Sequence, residues 1–422
     1  MSKSLTKITL NFYLFLFVFS LSLPVFYHST FLVGFLASFH LLIYKYRRNQ
    51  KIQLNPINYV FRFIIISIVG YVVISIYPII YGTGDYTYFK TYTNSFLSSL
   101  CGIPLAYLFV CYFKNDTYSE MTKSLFTVFF IQSLIIFLVL FIPQLKPIIE
   151  IFHRNPDVVR AADIFSNGIR SNALSGGLFF GLSLSFSVVL IIYIHYFIRV
   201  SINNISIVNI IKIFLVNIAM LISGRFGAIY LISIVFILNS RFSKVLKIIS
   251  KLLVLCFFIS LLFAVFLFVG KDINIDNNIT NYIFEFFKNG HQMNSTTRLA
   301  EMYNIDLPFS SFVMGTGHYT GEDGSYYMHT DVGYLRLLIY GGVSFLLFSF
   351  LYTLNLLSPL FNYEKKQLLG SLWLGLLILY LVSSFKGEVM MTLVSVNSMI
   401  FFVCLIVSIL KSDQNNDGRK NS

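Results

Sequence analysis

Apolar runs of about twenty residues recur along almost the whole chain, with short polar stretches between them. They fall at residues 8–26, 30–44, 60–80, 95–112, 121–142, 173–198, 206–222, 226–239, 250–270, 333–356, 367–384 and 389–410. The apolar positions run on rather than alternating, which fits helices and not the strands of a membrane barrel. About twelve transmembrane helices are therefore expected.

Two polar intervals interrupt the series. The organisation that follows is five helices over 1–142, a medium loop over 143–172, four helices over 173–270, a large loop over 271–332, three helices over 333–410 and a tail over 411–422. Every other connection is short. In the large loop, short amphipathic helices are expected around Tyr282 to Phe287 and Thr297 to Ile305, followed by a glycine-punctuated turn region from Gly315 to Gly324. The unequal loops and the absence of an internal repeat argue against the inverted-repeat design of many secondary transporters.

Composition agrees. Of 422 residues, 56% are hydrophobic and 12% charged, and the mean hydropathy is +0.75. The predicted fold class is all-α, a polytopic integral membrane protein. Lys3 and Lys7 precede the first run, and no small-residue cleavage signal stands before Tyr27-His28, so that run is expected to be a retained span.

The net charge of +13 changes meaning once the spans are drawn. With the N-terminus inside, Lys45, Arg47, Arg48, Lys51, Arg62, Lys114, Lys123, Arg199, Arg241, Lys244, Lys247, Lys251, Lys365, Lys366, Lys411, Arg419 and Lys420 all fall on the cytoplasmic side. Both termini are then cytoplasmic and both long loops lie outside, so the basic excess is topological and implies no nucleic-acid partner. Cys101, Cys111, Cys256 and Cys404 lie in spans and suggest no disulfide framework.

Lysine dominates the inner side, whereas arginine is prominent outside: Arg154, Arg160, Arg170, Arg225, Arg298 and Arg336. A guanidinium stays charged when buried and grips an oxyanion with two donors, so these are candidates for a fixed anion site; the alternative is pairing with Asp157, Asp163, Glu301 or lipid headgroups. Ser223-Gly224-Arg225-Phe226-Gly227 joins two short runs, which would set this turn below the outer surface, its glycines leaving room for a ligand. Gly315-Thr316-Gly317 leads into more turn residues rather than a helix and is not a phosphate loop.

His318, Glu322, Asp323, His329 and Asp331 are potential metal ligands in no standard spacing, and no metal is predicted. His329 and Asp331 suit acid/base work, because an imidazole titrates near neutrality and a carboxylate can orient it. Asp331 has a second reading as the cap of the helix that opens at Gly333. Lys386-Gly387-Glu388 reads as a turn with a surface pair.

Several of these pieces resemble the bacterial O-antigen polymerase (Wzy) family, relatives of the O-antigen ligases. They are Arg170-Ser171-Asn172-Ala173, Ser223-Gly224-Arg225-Phe226-Gly227, Thr297-Arg298-Leu299 with Gly315-Thr316-Gly317, and His329-Thr330-Asp331-Val332-Gly333-Tyr334 running to Gly341-Gly342. As topology the resemblance covers most of the chain. It implies a bacterial inner-membrane glycosyltransferase that joins undecaprenyl-pyrophosphate-linked repeat units at the periplasmic face without a cofactor. Its partners would be lipid-linked donor and acceptor glycans, membrane lipids, a chain-length regulator and a flippase.

The same resemblance implies Arg170, Arg225 and Arg298 as a pyrophosphate clamp and His329 as the base; with Asp331, His329 makes the candidate catalytic pair, and Arg154, Arg160, His318, Tyr334 and Arg336 are additional candidates. The Ser-Gly-Arg turn is shorter than the ligase form. A ligase transferring finished polymer to lipid A core stays open as an alternative, as does a lipid-linked oligosaccharide flippase. A flippase would need ionisable residues along a path through the spans, whereas here Lys212 and Arg225 stand almost alone.

Overall fold

The computed structural model describes residues 3–23, 27–48, 57–153, 173–177, 179–200, 206–238, 301–322, 324–364 and 370–420. Most of these residues are helical, with no strand among them beyond a single Thr320–Tyr326 bridge. The helices are α1 (Lys3–Phe19), α2 (Ser29–Arg47), α3 (Ile57–Ile80), α4 (Thr87–Phe113), α5 (Thr117–Phe141), α6 (Lys146–Glu150), α7 (Phe179–Val200), α8 (Ile207–Ser223), α9 (Tyr230–Leu238), α10 (Phe309–Met314), α11 (Gly333–Glu364), α12 (Gly370–Ser383) and α13 (Val394–Lys420).

Among the described residues, six helical stretches are long and apolar enough to cross a membrane: Ser29–Arg47, Asn58–Ile80, Thr87–Phe141, Phe179–Ile198, Gly333–Asn362 and Val394–Ser412. Thr87–Phe141 contains both α4 and α5, which part at a 3-10 turn over Lys114–Asp116. Shorter apolar helices cover Ser4–Phe19, Ile207–Ser223 and Leu372–Ser383. The expected span at 250–270 lies outside the described residues, as do the helix expected around Tyr282 to Phe287 and the first part of the one expected from Thr297.

Burial sorts the bundle into a centre and a rim. In α7, 94% of the spanning window is buried, and in α13 72%, whereas α3 buries only 28% and shows most of its apolar surface outward. A helix apolar on all sides belongs in the middle, and α7 fits this.

Hydroxyls and amides tie the helices where the hydrophobic effect between apolar surfaces is weak. The Tyr59 hydroxyl donates to the Leu356 carbonyl and that of Tyr340 to the Ile74 carbonyl, pinning α3 antiparallel to α11. Tyr380 donates to Asn397 at 2.6 Å, and the Asn397 amide reaches Ser95 and the Val389 carbonyl, which holds α12, α13 and α4 together.

Two expected boundaries shift with a physical cause. The run expected from 226 opens as a 3-10 turn over Arg225–Ile229 and becomes helix only at Tyr230. The run expected from 389 is non-helical as far as Leu393, because Glu388 and its neighbours are bound by side-chain contacts described below.

Near its start α11 is broken. Gly341 and Gly342 leave helical geometry, Gly342 with φ of 68°. The break frees carbonyls about 12 Å along the axis from Gly333. A loop repairs it: the Thr316 N–H bonds the Ile339 carbonyl at 2.7 Å and the Gly317 N–H bonds that of Tyr340 at 2.9 Å. The contact is so close that a Cβ on Gly342 would fall 2.1 Å from the Val313 carbonyl oxygen, and one on Gly315 would fall 2.6 Å from the Gly341 Cα. Gly315-Thr316-Gly317 therefore serves the helix break, which accounts for glycines that superficially suggest a phosphate loop.

Candidate active site around Arg336

One end of the bundle gathers the α3–α4 turn, the loop from Gly315 to Thr330, the start of α11 and the turn between α12 and α13. Arg336 stands on the first turn of α11 and is 7% exposed. Its guanidinium carbon lies 4.1 Å from the centre of the Tyr319 ring and 3.6 Å from that of Tyr326, so two aromatic rings pack against the cation. Nη1 lies 3.5 Å from Oε2 of Glu388, itself buried. Nε and Nη2 are buried and make no hydrogen bond among the described residues.

A guanidinium has two edges that can grip an oxyanion. Glu388 attends one of them, and the Nε/Nη2 edge is left with two unused donors. Buried donors without partners cost about 1–3 kcal/mol each, so such an edge needs a reason. Arg336 also lines a narrow crevice with His318, Tyr319, Tyr327 and Ile339.

Glu388 is fixed from both sides. Its Oε2 accepts the Tyr319 hydroxyl at 3.0 Å and its Oε1 the Thr392 hydroxyl at 2.9 Å. Burial, reinforced by the charge of Glu388 and opposed by that of Arg336, holds the Tyr319 phenol well above its ordinary range. Tyr319 thus remains a donor. The expected surface pair at Lys386-Gly387-Glu388 is corrected: Glu388 is an interior counter-ion to Arg336.

Asp85, which has no place in any sequence motif, moors the loop. Its Oδ2 accepts the backbone N–H of Tyr319 at 2.7 Å and of Thr320 at 2.6 Å, and its Oδ1 that of Thr87 at 3.1 Å. Burial alone would raise its pKa, but the donated N–H groups outweigh that and hold it below the ordinary carboxylate value. The Thr83 hydroxyl adds a bond to the Gly317 carbonyl at 2.9 Å.

His329 and Asp331 occupy the exposed side of the same stretch. His329 Nδ1 is 3.1 Å from the Ser325 hydroxyl, and its backbone N–H donates to the Tyr326 carbonyl at 2.8 Å. Met328 and His329 have φ of 57° and 51°, a region that side chains other than glycine rarely adopt. His318 stacks on Tyr327 with ring centres 4.8 Å apart.

The cap reading of Asp331 is corrected. The N–H of Tyr334, the second residue of α11, donates to the Ser384 carbonyl at 3.1 Å rather than to Asp331, while the Thr330 hydroxyl accepts the Val332 N–H at 3.3 Å and donates to the Met302 carbonyl at 3.1 Å. Tyr334 has a packing role, its hydroxyl donating to the Leu381 carbonyl at 2.6 Å in the seam between α11 and α12. Among the described residues, no three His, Cys, Asp or Glu side chains form a group that could hold a metal ion.

The Ser223–Gly227 turn joins this end through backbone packing. The Ser183 hydroxyl donates to the Gly224 carbonyl and that of Ser187 to the Gly227 carbonyl at 2.9 Å. Ser187 is eight residues into α7, about 12 Å along its axis, so the turn sits well below the end of that helix. A Cβ on Gly227 would fall 2.2 Å from the Ser183 hydroxyl oxygen, and one on Gly387 would fall 2.6 Å from Phe180. One on Gly333 would fall 2.4 Å from the Gly387 carbonyl oxygen. A chain of close contacts thus links the turn, the start of α7, the Gly387 turn and the start of α11. The turn glycines serve packing on α7, which corrects the expectation that they leave room for a ligand.

The backbone of Arg225 lies in this turn; its side chain is outside the described set. Arg154, Arg160, Arg170 and Arg298 also lie outside the described residues. Sequence reasoning passed over Asp85, misread Glu388 and did not single out Tyr319 and Tyr326. A lone carboxylate in the otherwise apolar stretch Val389-Met390-Met391 and its surroundings was the available signal for Glu388. No protein-family model matches the chain, and no curated protein matches it.

Proposed function

We propose that this chain is an O-antigen polymerase, a multi-pass glycosyltransferase of the bacterial inner membrane that joins undecaprenyl-pyrophosphate-linked repeat units at the periplasmic face, with both termini cytoplasmic. The observation that carries the reading is the buried guanidinium of Arg336. Its Nε and Nη2, buried and without a hydrogen-bond partner among the described residues, stand on the first turn of an apolar helix, beside a crevice that holds His318 and close in sequence to His329 and Asp331. Short connections would suffice for a flippase, which would have little use for such a fixed cation outside its transport path.

In this reading the donor pyrophosphate lies against Arg225 and the free edge of Arg336, with Arg170 and Arg298 completing the clamp. The acceptor hydroxyl loses its proton to His329, oriented by Asp331, as its oxygen bonds to the anomeric carbon of the donor sugar. The bond from that carbon to the pyrophosphate oxygen breaks, and the arginines stabilise the charge that develops on the leaving group. No nucleotide or metal is needed. The partners are the lipid-linked glycans, the surrounding lipids, a chain-length regulator and a flippase.

Deletion of the gene in a strain that makes O-antigen tests the reading. Lipid A core carrying single repeat units, restored to long polymer by the wild-type chain, is the expected outcome. Bare core with intact lipid-linked polymer would make the chain a ligase. Within the complemented strain, Arg225→Lys should lose most polymer at matched expression, because an ammonium cannot reproduce the two-donor fork.

A further inference from the structure

The short helix α10 shows apolar side chains outward at the crowded end of the bundle. Phe309 is 81% exposed and Met314 66%, with Val313 also exposed. In a water-filled loop this would be costly, since three large apolar groups on six residues gain nothing from solvent.

Their neighbours say what covers them. The Tyr81 hydroxyl donates to the Met314 carbonyl, and Val313 lies against Gly342 of α11. α10 is thereby held beside the last turn of α3, where Ile76, Ile79 and Ile80 are exposed. Just past the break, α11 exposes Val343, Leu347 and Leu351, a stripe at helical spacing. Both α3 and α11 belong to stretches long and apolar enough to cross a membrane, so these outward stripes face lipid. α10 stands beside both stripes, touching Tyr81 at the end of α3 and Gly342 at the break in α11.

We infer that Phe309–Met314 is an interfacial membrane anchor, seated in the headgroup and upper acyl region, that holds the His318–His329 loop down on the bilayer. Lipid is the partner. The polar repair of the α11 break supports the same placement: backbone irregularity at membrane depth is tolerated where other backbone satisfies it, and Thr316 and Gly317 do so immediately after this helix. The anchor also explains how a loop bearing the reactive groups would stay close to a lipid-borne substrate. The inference rests on the membrane-spanning helices and not on the polymerase reading.

The chain has a single tryptophan, Trp373, which makes the test direct. The full-length Trp373→Phe, Phe309→Trp protein is reconstituted in phosphatidylcholine vesicles and its fluorescence quenched by iodide or by lipids brominated on the acyl chain near the headgroup. Strong quenching by the brominated lipid with little iodide quenching is expected. Iodide quenching without bromolipid quenching, or shielding from both as a second copy or partner protein would give, overturns the anchor. Should the variant not fold, the wild-type protein in the same vesicles is labelled with an apolar photoreactive probe. Label on the peptide bearing Phe309–Met314 as well as on that bearing Ile79 and Ile80 is expected, and label on the latter alone overturns the inference. Polymer formation plays no part in either readout.

Discussion

Arg336 and His329 share one short stretch of chain and stand in opposite states. Arg336 is enclosed by two tyrosine rings and a buried carboxylate, so its position is set by groups from two separate parts of the sequence. His329 is exposed, on a backbone in the left-handed region, with a hydroxyl from its own loop as its neighbour at Nδ1. Under the proposed function, the difference is that between a group that must not move and one that must exchange a proton. A fixed cation stabilises developing charge because its surroundings are already arranged, whereas a base must meet substrate and then solvent.

The largest expected effect breaks the enclosed side of this comparison. Glu388→Ala removes the ion-pair partner of the buried guanidinium, on which the charge of Asp331 also acts, and leaves the Tyr319 and Thr392 hydroxyls unmatched. A loss on the order of 3–5 kcal/mol is expected, read as a marked fall in the thermal-unfolding midpoint of the detergent-solubilised protein. Asp331→Asn, on the exposed side, should move that midpoint by less than about 0.5 kcal/mol in equivalent stability. Equal midpoints for the two variants would erase the distinction.

Next comes the exposed side, read as activity. His329→Ala should lower turnover by about a hundredfold or more. Its unfolding midpoint should hold or rise slightly, since alanine loses little packing here, and donor binding should persist. Full turnover in His329→Ala would move the base to Asp331 or remove the need for one; recovery by added divalent ions would instead indicate a metal centre involving Glu322 and Asp323.

How much of this was legible in the sequence follows the same division. Apolar periodicity marks the helices because burial in lipid or protein demands it over some twenty residues. His329, Asp331 and Arg336 were visible as ionisable groups at a helix mouth. Asp85 and Glu388 were not, because their importance lies in what the fold brings to them: two backbone N–H groups from a loop far along the chain in one case, a guanidinium and two hydroxyls in the other. The break at Gly341-Gly342 was equally hidden, since adjacent glycines in an apolar run also read as a close helix contact. Only the docking of Gly315–Gly317 distinguishes the two.

That docking sharpens the comparison at a third point. Gly342→Ala meets both a φ of 68° and the Val313 carbonyl, so a loss of about 1–3 kcal/mol is expected. Activity should fall with it, because the loop that carries Tyr319 and His318 hangs from the same contact. Gly324→Ala tests backbone conformation alone, since φ is 76° there with open space around the would-be methyl. It should cost less, on the order of 1 kcal/mol. If the two glycine variants unfold at the same midpoint, the docked loop contributes nothing beyond backbone strain.

The smallest effect concerns pH. Asp85 has a folded pKa below its ordinary value because Tyr319, Thr320 and Thr87 donate N–H groups to the carboxylate. Its contribution to stability is therefore fully present above the unfolded value of about 4 and is lost as pH falls through the lower folded value. Wild-type protein should lose more stability below about pH 4 than Asp85→Asn, whose side chain has no charge to lose. Above that range the variant should be the less stable, by on the order of 1–3 kcal/mol, because an amide is a weaker acceptor for the three N–H groups. Protection of the Tyr319 and Thr320 amides against hydrogen exchange, taken relative to the intrinsic rate at each pH from 6 downward, locates the change at the mooring, and protection that is independent of pH there would show that Asp85 does not hold the loop beneath Arg336.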